Sequence, residues 1–455
     1  MHIRRLVSRQ RAISSPGRMY NIAHELRGGL THRLRASLRW PIELEADVKL
    51  LFQGALILLA VSTLMGMVEG QNRLTLSTDL GDAHTDAGTL GWLTLGAIAF
   101  AVMLFAPRLG HGRPTQLDVR LTHILSVLAV VSTFGYTLAA IVGYDGAIIA
   151  GSAVMLLMAV AFVGWLGMRI VQTRLESAHL AMLLSALVLV LGATVGFLLE
   201  VQEATMSTLF PDDTAIVQPI VLDAGYLLLV SVALVQWSML SVTSGMKWTR
   251  LSLPTVLAVA MPFLALCVLT FVILMNMAGP IPIAAALDLA TAIILCWKVW
   301  PMLLAVRWRE RSVRRYFALA AIFLPLYLVL FVYVLVRVSL GSYTSFGSVP
   351  VTTTAGIDHL LFIGVLSNAL FGLLALVTRD NRRFWPATDD VIFWGMNVGL
   401  VGLVAGFLAH NGVLMALLQG LFSPILGASI FVGVVAYTVR LRTVRVRLVP
   451  PPSWE

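Results

Sequence analysis

Long apolar runs separated by short polar breaks follow one another along almost the whole chain. A helix crossing about 30 Å of hydrocarbon needs about 20 mostly apolar residues, so each run of that length is a candidate membrane span. Twelve such runs are present, at 51–69, 86–106, 121–143, 147–168, 179–199, 218–241, 252–275, 281–303, 316–337, 359–377, 391–409 and 412–437. They are too long for barrel strands, which leaves helices as the only spanning structure. The breaks between them are short. The pattern therefore predicts an all-α, polytopic membrane helix bundle over residues 50–440, with an arm (1–49) before it and a tail (441–455) after it.

Composition agrees, since 58% of the 455 residues are hydrophobic and only 12% are charged, far from the balance of a soluble globular chain. The sign of the loop charges sets an orientation. Alternate loops, beginning after the second span, carry Arg108, Arg113 and Arg120, then Arg169 and Arg174, Lys247 and Arg250, Arg307 to Arg315, and Arg379, Arg382 and Arg383. The opposite loops hold only Arg73 and Arg337. Both termini are expected on the cytoplasmic face of an inner membrane, because the arm carries ten basic residues and the tail Arg442, Arg445 and Arg447, next to Arg440. This topology accounts for the formal charge of +9, and no nucleic-acid partner is called for. The arm reads as a basic segment attracted to anionic lipid, although its Arg content also suits a transit peptide. Trp40 is placed to sit at headgroup level.

Other polar positions read simply. Cys267 and Cys296 both fall inside spans, form no pair motif and are expected to be small packing residues. His123 and His179 are expected at cytoplasmic ends, where an imidazole snorkels to the interface, His111 in a loop and His410 in a tight outer turn. Gln236, Asn368 and Asn397 are the mid-span polar groups, a scarcity that argues against a buried carboxylate relay. Glu200, Glu203, Asp212 and Asp213 make an acidic outer loop, a docking surface for a basic partner such as a cytochrome, or a plain consequence of positives lying inside.

Three spans share a beginning. "DAGTLGWLTLGAIAF" starts at Asp86, "DAGYLLLVSVALVQW" at Asp223 and "HLLFIGVLSNALFG" at His359, spaced by 137 and 136 residues. This spacing divides the bundle into three pseudo-repeated four-helix units, with residues 86, 223 and 359 converging near the outer rim. Evenly spaced helices would give similar intervals without a repeat. Asp86 and Asp223 also read as N-terminal caps, accepting free backbone N–H groups at the positive end of a helix dipole. His359 is poorly suited to that role, because a cation there opposes the dipole.

Twelve helices in three arcs of four, together with "AHTDAGTLGWLTLG" and "GIDHLLFIGVLSNALFGLLALVTRD", resemble subunit I of the haem-copper oxidases, including the nitric oxide reductase and NnrS types. The resemblance implies a low-spin haem held by one His from the second helix and one from the tenth, here His84 and His359. It also locates what is missing: Ile357 stands where a second haem's ligand would be, Asp223 replaces a copper-binding His, and the seventh span has no His. A copper centre is therefore not expected. Because His84 precedes Asp86 by two residues, its use as a ligand requires it to lie in the loop and fold back. The implied function is a haem-binding electron-transfer or accessory component of the membrane, partnered by lipid and by other membrane subunits or a cytochrome. The residues also leave open a cofactor-free transporter or channel for a small neutral solute, and a structural or assembly subunit.

Overall fold

The computed structural model of the chain describes residues 44–70, 78–105, 115–173, 175–207, 215–242, 251–275, 277, 279–379, 384–409 and 411–443. Among them there is no strand. Twelve helices are long and apolar enough to cross a membrane: α1 (Glu45–Val68), α2 (Ala83–Leu104), α3 (Gln116–Val142), α4 (Asp145–Ile170), α5 (Ser177–Thr205), α6 (Val217–Ser238), α7 (Leu253–Leu274), α8 (Ile281–Pro301), α9 (Arg314–Ser339), α10 (Val351–Val377), α11 (Thr388–Phe407) and α12 (Gly412–Thr443). The protein is an all-α, multi-pass membrane bundle. Each run seen in the sequence falls in one helix, with two notable shifts. Helix α1 begins inside the stretch assigned to the arm, and α10 begins eight residues before His359, so that His359 is interior to its helix. Most of the arm and tail lies outside the described residues, as do His111, His410, Asp212, Asp213, Trp40 and, among the loop cations, Arg108, Arg113, Arg174, Lys247, Arg250, Arg382 and Arg383.

The helices form an inner and an outer layer. In α2 and α10 89% of the apolar window is buried, and in α6 83%, against 28–56% in the other nine. A helix that is apolar all round belongs in a core, and these three form it. The outer helices turn side chains such as Ile57, Val131, Leu157, Phe271 and Ile293 outward. Cys267 and Cys296 are on that exposed surface as well, which corrects their reading as packing residues.

Lipid tails are as apolar as leucine, so close packing and interhelical hydrogen bonds must hold the layers together. Gly96 of α2 lets Leu370 of α10 approach until a Cβ at position 96 would stand 2.5 Å from its Cδ1. Trp92 Nε1 donates to Ser367 Oγ between the same helices at 2.9 Å. The Asn368 and Asn397 amides exchange hydrogen bonds of 2.8 and 3.1 Å between α10 and α11. Gln236 Nε2 donates to the Thr255 carbonyl, joining α6 to α7 at 3.2 Å. His179 is fully buried, donating from Nε2 to the Leu104 carbonyl at 3.1 Å and accepting the Glu176 N–H at Nδ1. It ties α5 to α2 and does not snorkel. His123 is exposed and pairs with buried Asp47 of α1 at 2.8 Å.

Where α9 and α11 begin and α12 ends, a charged network closes the bundle. Arg440 Nη1 meets Asp389 Oδ1 at 2.6 Å with both side chains buried, and Arg440 also donates to the Phe384 and Trp385 carbonyls. Tyr437 OH donates to the same Asp389 oxygen at 3.3 Å. Arg315 pairs with Asp390 at 2.7 Å, donates to the Asp389 carbonyl at 2.8 Å and covers the Phe393 ring at 4.3 Å. Removing one member of a buried pair strands its partner, at a cost of about 3–5 kcal/mol, whereas replacing both by apolar groups costs far less. Asp389→Leu is therefore expected to lower the unfolding free energy in detergent by about that amount, and Asp389→Leu with Arg440→Met by clearly less. A double variant as unstable as the single would show that the pair is not the relevant contact.

Candidate functional site

The even-numbered helices begin at one end of the bundle, called here the entry end. Six or seven residues in, about 10 Å at 1.5 Å per residue, several polar side chains stand on the inner helices and their neighbours. The chain is already helical from Thr78, so His84 lies on a helix that runs into α2. It needs no loop and no folding back. Its Nδ1 is 2.8 Å from the Ser62 carbonyl of α1 and 3.2 Å from Ser62 Oγ, which itself donates to the His84 carbonyl at 3.0 Å. The ring lies against Gly66, where a Cβ would come within 2.7 Å of Cε1. His359 Nδ1 is 2.7 Å from the Ala355 carbonyl one turn earlier in α10, and its ring leans on Phe407 of α11 at 5.3 Å between centroids.

A carbonyl can only accept, so both hydrogen bonds put the ring proton on Nδ1. The neutral imidazole then carries its lone pair on Nε2, the arrangement found when the other ring nitrogen of a metal-ligating His is held by a backbone carbonyl. The two imidazoles are within electrostatic reach of each other. Deeper in, α2 and α10 close together at Trp92, Ser367, Gly96 and Leu370.

Each inner helix contains a π-helical segment: Ala87–Leu93 in α2, Ile220–Leu227 in α6 and Leu360–Ser367 in α10. Such segments are rare and frequently mark functional sites. Side chains five residues on bond the carbonyls of the wider turns. Thr94 Oγ1 donates to the Thr89 carbonyl at 3.0 Å, Ser367 Oγ to that of Phe362 at 2.8 Å and Asn368 Nδ2 to that of Ile363 at 3.3 Å. The segments start directly after Asp86 and His359 but three residues before Asp223. The equal spacing read from the sequence thus holds between α2 and α10 and slips by about one turn in α6. Neither aspartate is a cap: Asp86 makes no side-chain capping bond and Asp223 sits inside the π segment.

Helix α10 lies between α2 and α6, its π segment touching those of both. Successive residues on a helix point about 100° apart, and on α10 His359 is within electrostatic reach of His84 and Asp358 of Asp223. Asp288 of α8 is fully buried, and the hydroxyl of Tyr327 of α9, also buried, is within electrostatic reach of Asp223, Asp288 and Asp358. The supposed scarcity of carboxylates inside the spans is corrected by these residues. Asp288 is visible in the sequence as the one acid in "IPIAAALDLATAII", and Asp358 as the neighbour of His359. Ser62 and Gly66 carry no signal of their own, because only tertiary packing brings them to His84.

Among the described residues, no three His, Cys, Asp or Glu side chains are grouped to hold a metal ion. No protein-family model matches the chain, and no curated protein does. The functional argument therefore rests on the geometry of this site. Gly66→Ala tests the seat of His84. The added methyl collides with the ring and is expected to cost about 1–3 kcal/mol, the usual range for overpacking, read as a loss of unfolding free energy in detergent. Unchanged stability would mean that the imidazole does not rest there.

Proposed function

We propose that the protein is a haem-binding electron-transfer or accessory component of an inner membrane, with the architecture of oxidase subunit I and no copper centre. The observation that carries this reading is the pair of imidazoles on α2 and α10, each with its Nδ1 proton committed to a carbonyl. The donor set suits a haem iron: two neutral imidazoles on adjacent inner helices, each with its lone pair on Nε2, form a bis-imidazole set. His84 and His359 would hold the haem iron, which would supply one-electron redox chemistry.

The chain's own residues orient and shield. Ser62 and Gly66 fix the His84 ring, Ala355 and Phe407 that of His359, and the close contact of α2 with α10 keeps water from the deeper interior. A copper centre of three imidazoles has no counterpart, since neither α6 nor α7 contains a His. Both termini on the cytoplasmic face, and membrane subunits or a cytochrome as partners, complete the proposal.

Protein purified after expression with haem supplied is expected to give the absorption spectrum of a low-spin, bis-imidazole haem. His84→Ala and His359→Ala should each abolish that spectrum. Ser62→Ala should keep it while lowering haem affinity, within the roughly 10–100-fold typical of outer-shell changes. Wild-type protein without a Soret band, or with one that survives both His substitutions, overturns the reading.

A further inference from the structure

At the end of the bundle opposite the entry end, the outer surface carries a pattern that the imidazole pair does not use. Helix α8, whose last turn runs on to Leu304, turns Leu289, Ile293, Trp297, Trp300 and Leu304 outward. Spacings of three and four residues put them on one face of the helix. Leu289 and Ile293 stand in its apolar middle, whereas Trp297 and Trp300 belong to the last two turns and are 64% and 61% exposed. Indole rings in that position sit at headgroup level. The Lys298 ammonium lies over the Trp297 ring, 4.3 Å from its centroid.

The loop from α8 to α9 continues this face with charges held in place. Val306 and Val313 are buried at its two ends and Trp308 packs on the core, while Arg307 and Arg309, on either side of Trp308, are exposed. The Glu310 N–H donates to the Arg307 carbonyl at 3.0 Å, Arg307 Nη1 meets Glu310 Oε1 at 3.0 Å, and Arg311 pairs with Asp390 of α11. A loop tied down in this way spares a ligand much of the ordering cost of binding. Arg307 follows Leu304 by three residues, at most about 11 Å of extended chain, so it stands next to the end of the exposed stripe. The charges do not balance locally. Five arginines, Arg307, Arg309, Arg311, Arg314 and Arg315, face the two carboxylates of Glu310 and Asp390, because Asp389 is taken by Arg440. Arg309 makes no ion pair among the described residues. Even the buried Arg315 leaves Nε and Nη1 without a hydrogen-bond partner there.

We propose that the end of α8 and the loop after it form a site for an anionic phospholipid. An acyl chain lies along Leu289 and Ile293, the glycerol level meets the Trp297 and Trp300 rings, and the phosphate is held by the Arg307 and Arg309 guanidinium groups. Guanidinium N–H groups match phosphate oxygens in pairs, and such charge-assisted bonds are the strong ones. Clustered basic side chains beside a span attract anionic lipid over neutral lipid. A zwitterionic headgroup has the same phosphate but adds a cation, which the surplus charge of Arg311 and Arg314 repels. The exposed apolar stripe leading up to the arginines distinguishes a lipid from a dissolved anion, because it gives an acyl chain a place to lie. The site is on the outer surface and takes no part in the haem reading, so the two stand or fall separately.

Tryptophan fluorescence of the full-length protein in phosphatidylcholine bilayers tests the proposal, with brominated-chain phosphatidylglycerol or brominated-chain phosphatidylcholine added as the quencher. At equal mole fraction the brominated phosphatidylglycerol should quench more strongly. Replacing Trp297 and Trp300 together by Phe should remove the extra quenching. Arg307→Gln and Arg309→Gln should each weaken the preference about fivefold, the effect of one basic residue near an anionic surface. Arg309→Lys should keep part of it. Arg120→Gln, on exposed α3 and away from the site, should leave it unchanged. Helical circular dichroism and monodispersity show that each variant is folded. Four results overturn the proposal. They are equal quenching by the two lipids, a preference that survives loss of both arginines, a preference lowered as much by Arg120→Gln, and one abolished by millimolar inorganic phosphate. The third would mean general surface charge, and the fourth a site for a free anion.

Discussion

In a hydrocarbon surround, a polar group that water cannot reach must find its partner within the protein, and much of the interior of this bundle is arranged under that constraint. It explains why α2, α6 and α10, apolar all round, are central, and why several polar side chains on them pair across helices. Trp92 with Ser367 and Asn368 with Asn397 are such pairs. The buried Asp389 and Arg440 pair obeys the same rule at the opposite end, with a charge on each partner and backbone carbonyls completing the arginine's bonds. The π-helical turns obey it too, because the wider backbone is bonded by Thr94, Ser367 and Asn368 from five residues along.

The architecture was readable because a membrane span is a one-dimensional signal. A run of apolar residues identifies itself without knowledge of its neighbours, and each of the twelve runs became a helix. Helix starts were less readable. "TDLGDAH" and "VTTTAGID" are polar enough to pass for loop, yet they are the first turns of α2 and α10 and carry His84 and Asp358 onto helices. The error at His84 followed directly, since a residue taken to lie before its helix was given the wrong rotational position.

The site was half readable. His84 and His359 were found from residue type and from a resemblance to oxidase helices, and the structure puts them on α2 and α10 with each Nδ1 held by a backbone carbonyl. What orients them was hidden. Ser62 and Gly66 lie on α1, separated from His84 by a loop, and nothing in their own surroundings distinguishes them from packing residues. The carboxyls were hidden for another reason: Asp288 is a single acid on an outer helix, and its burial against α9 depends on which face of α8 turns inward. Regular spacing misled as well. It proposed Asp86, Asp223 and His359 as equivalents, whereas the slip of about one turn in α6 aligns Asp223 with a different level of its neighbours.

Asp358 and His359 are consecutive, so they stand about 100° apart around one helix. Their angular separation is set by the backbone, so neither can swing relative to the other without unwinding a turn. Any twist of α10 about its own axis must displace both at once, carrying the imidazole relative to α2 and the carboxyl relative to α6 in a single motion. A disturbance felt at one flank is thereby delivered to the other through rigid geometry, with no chain of intermediate side chains needed to relay it.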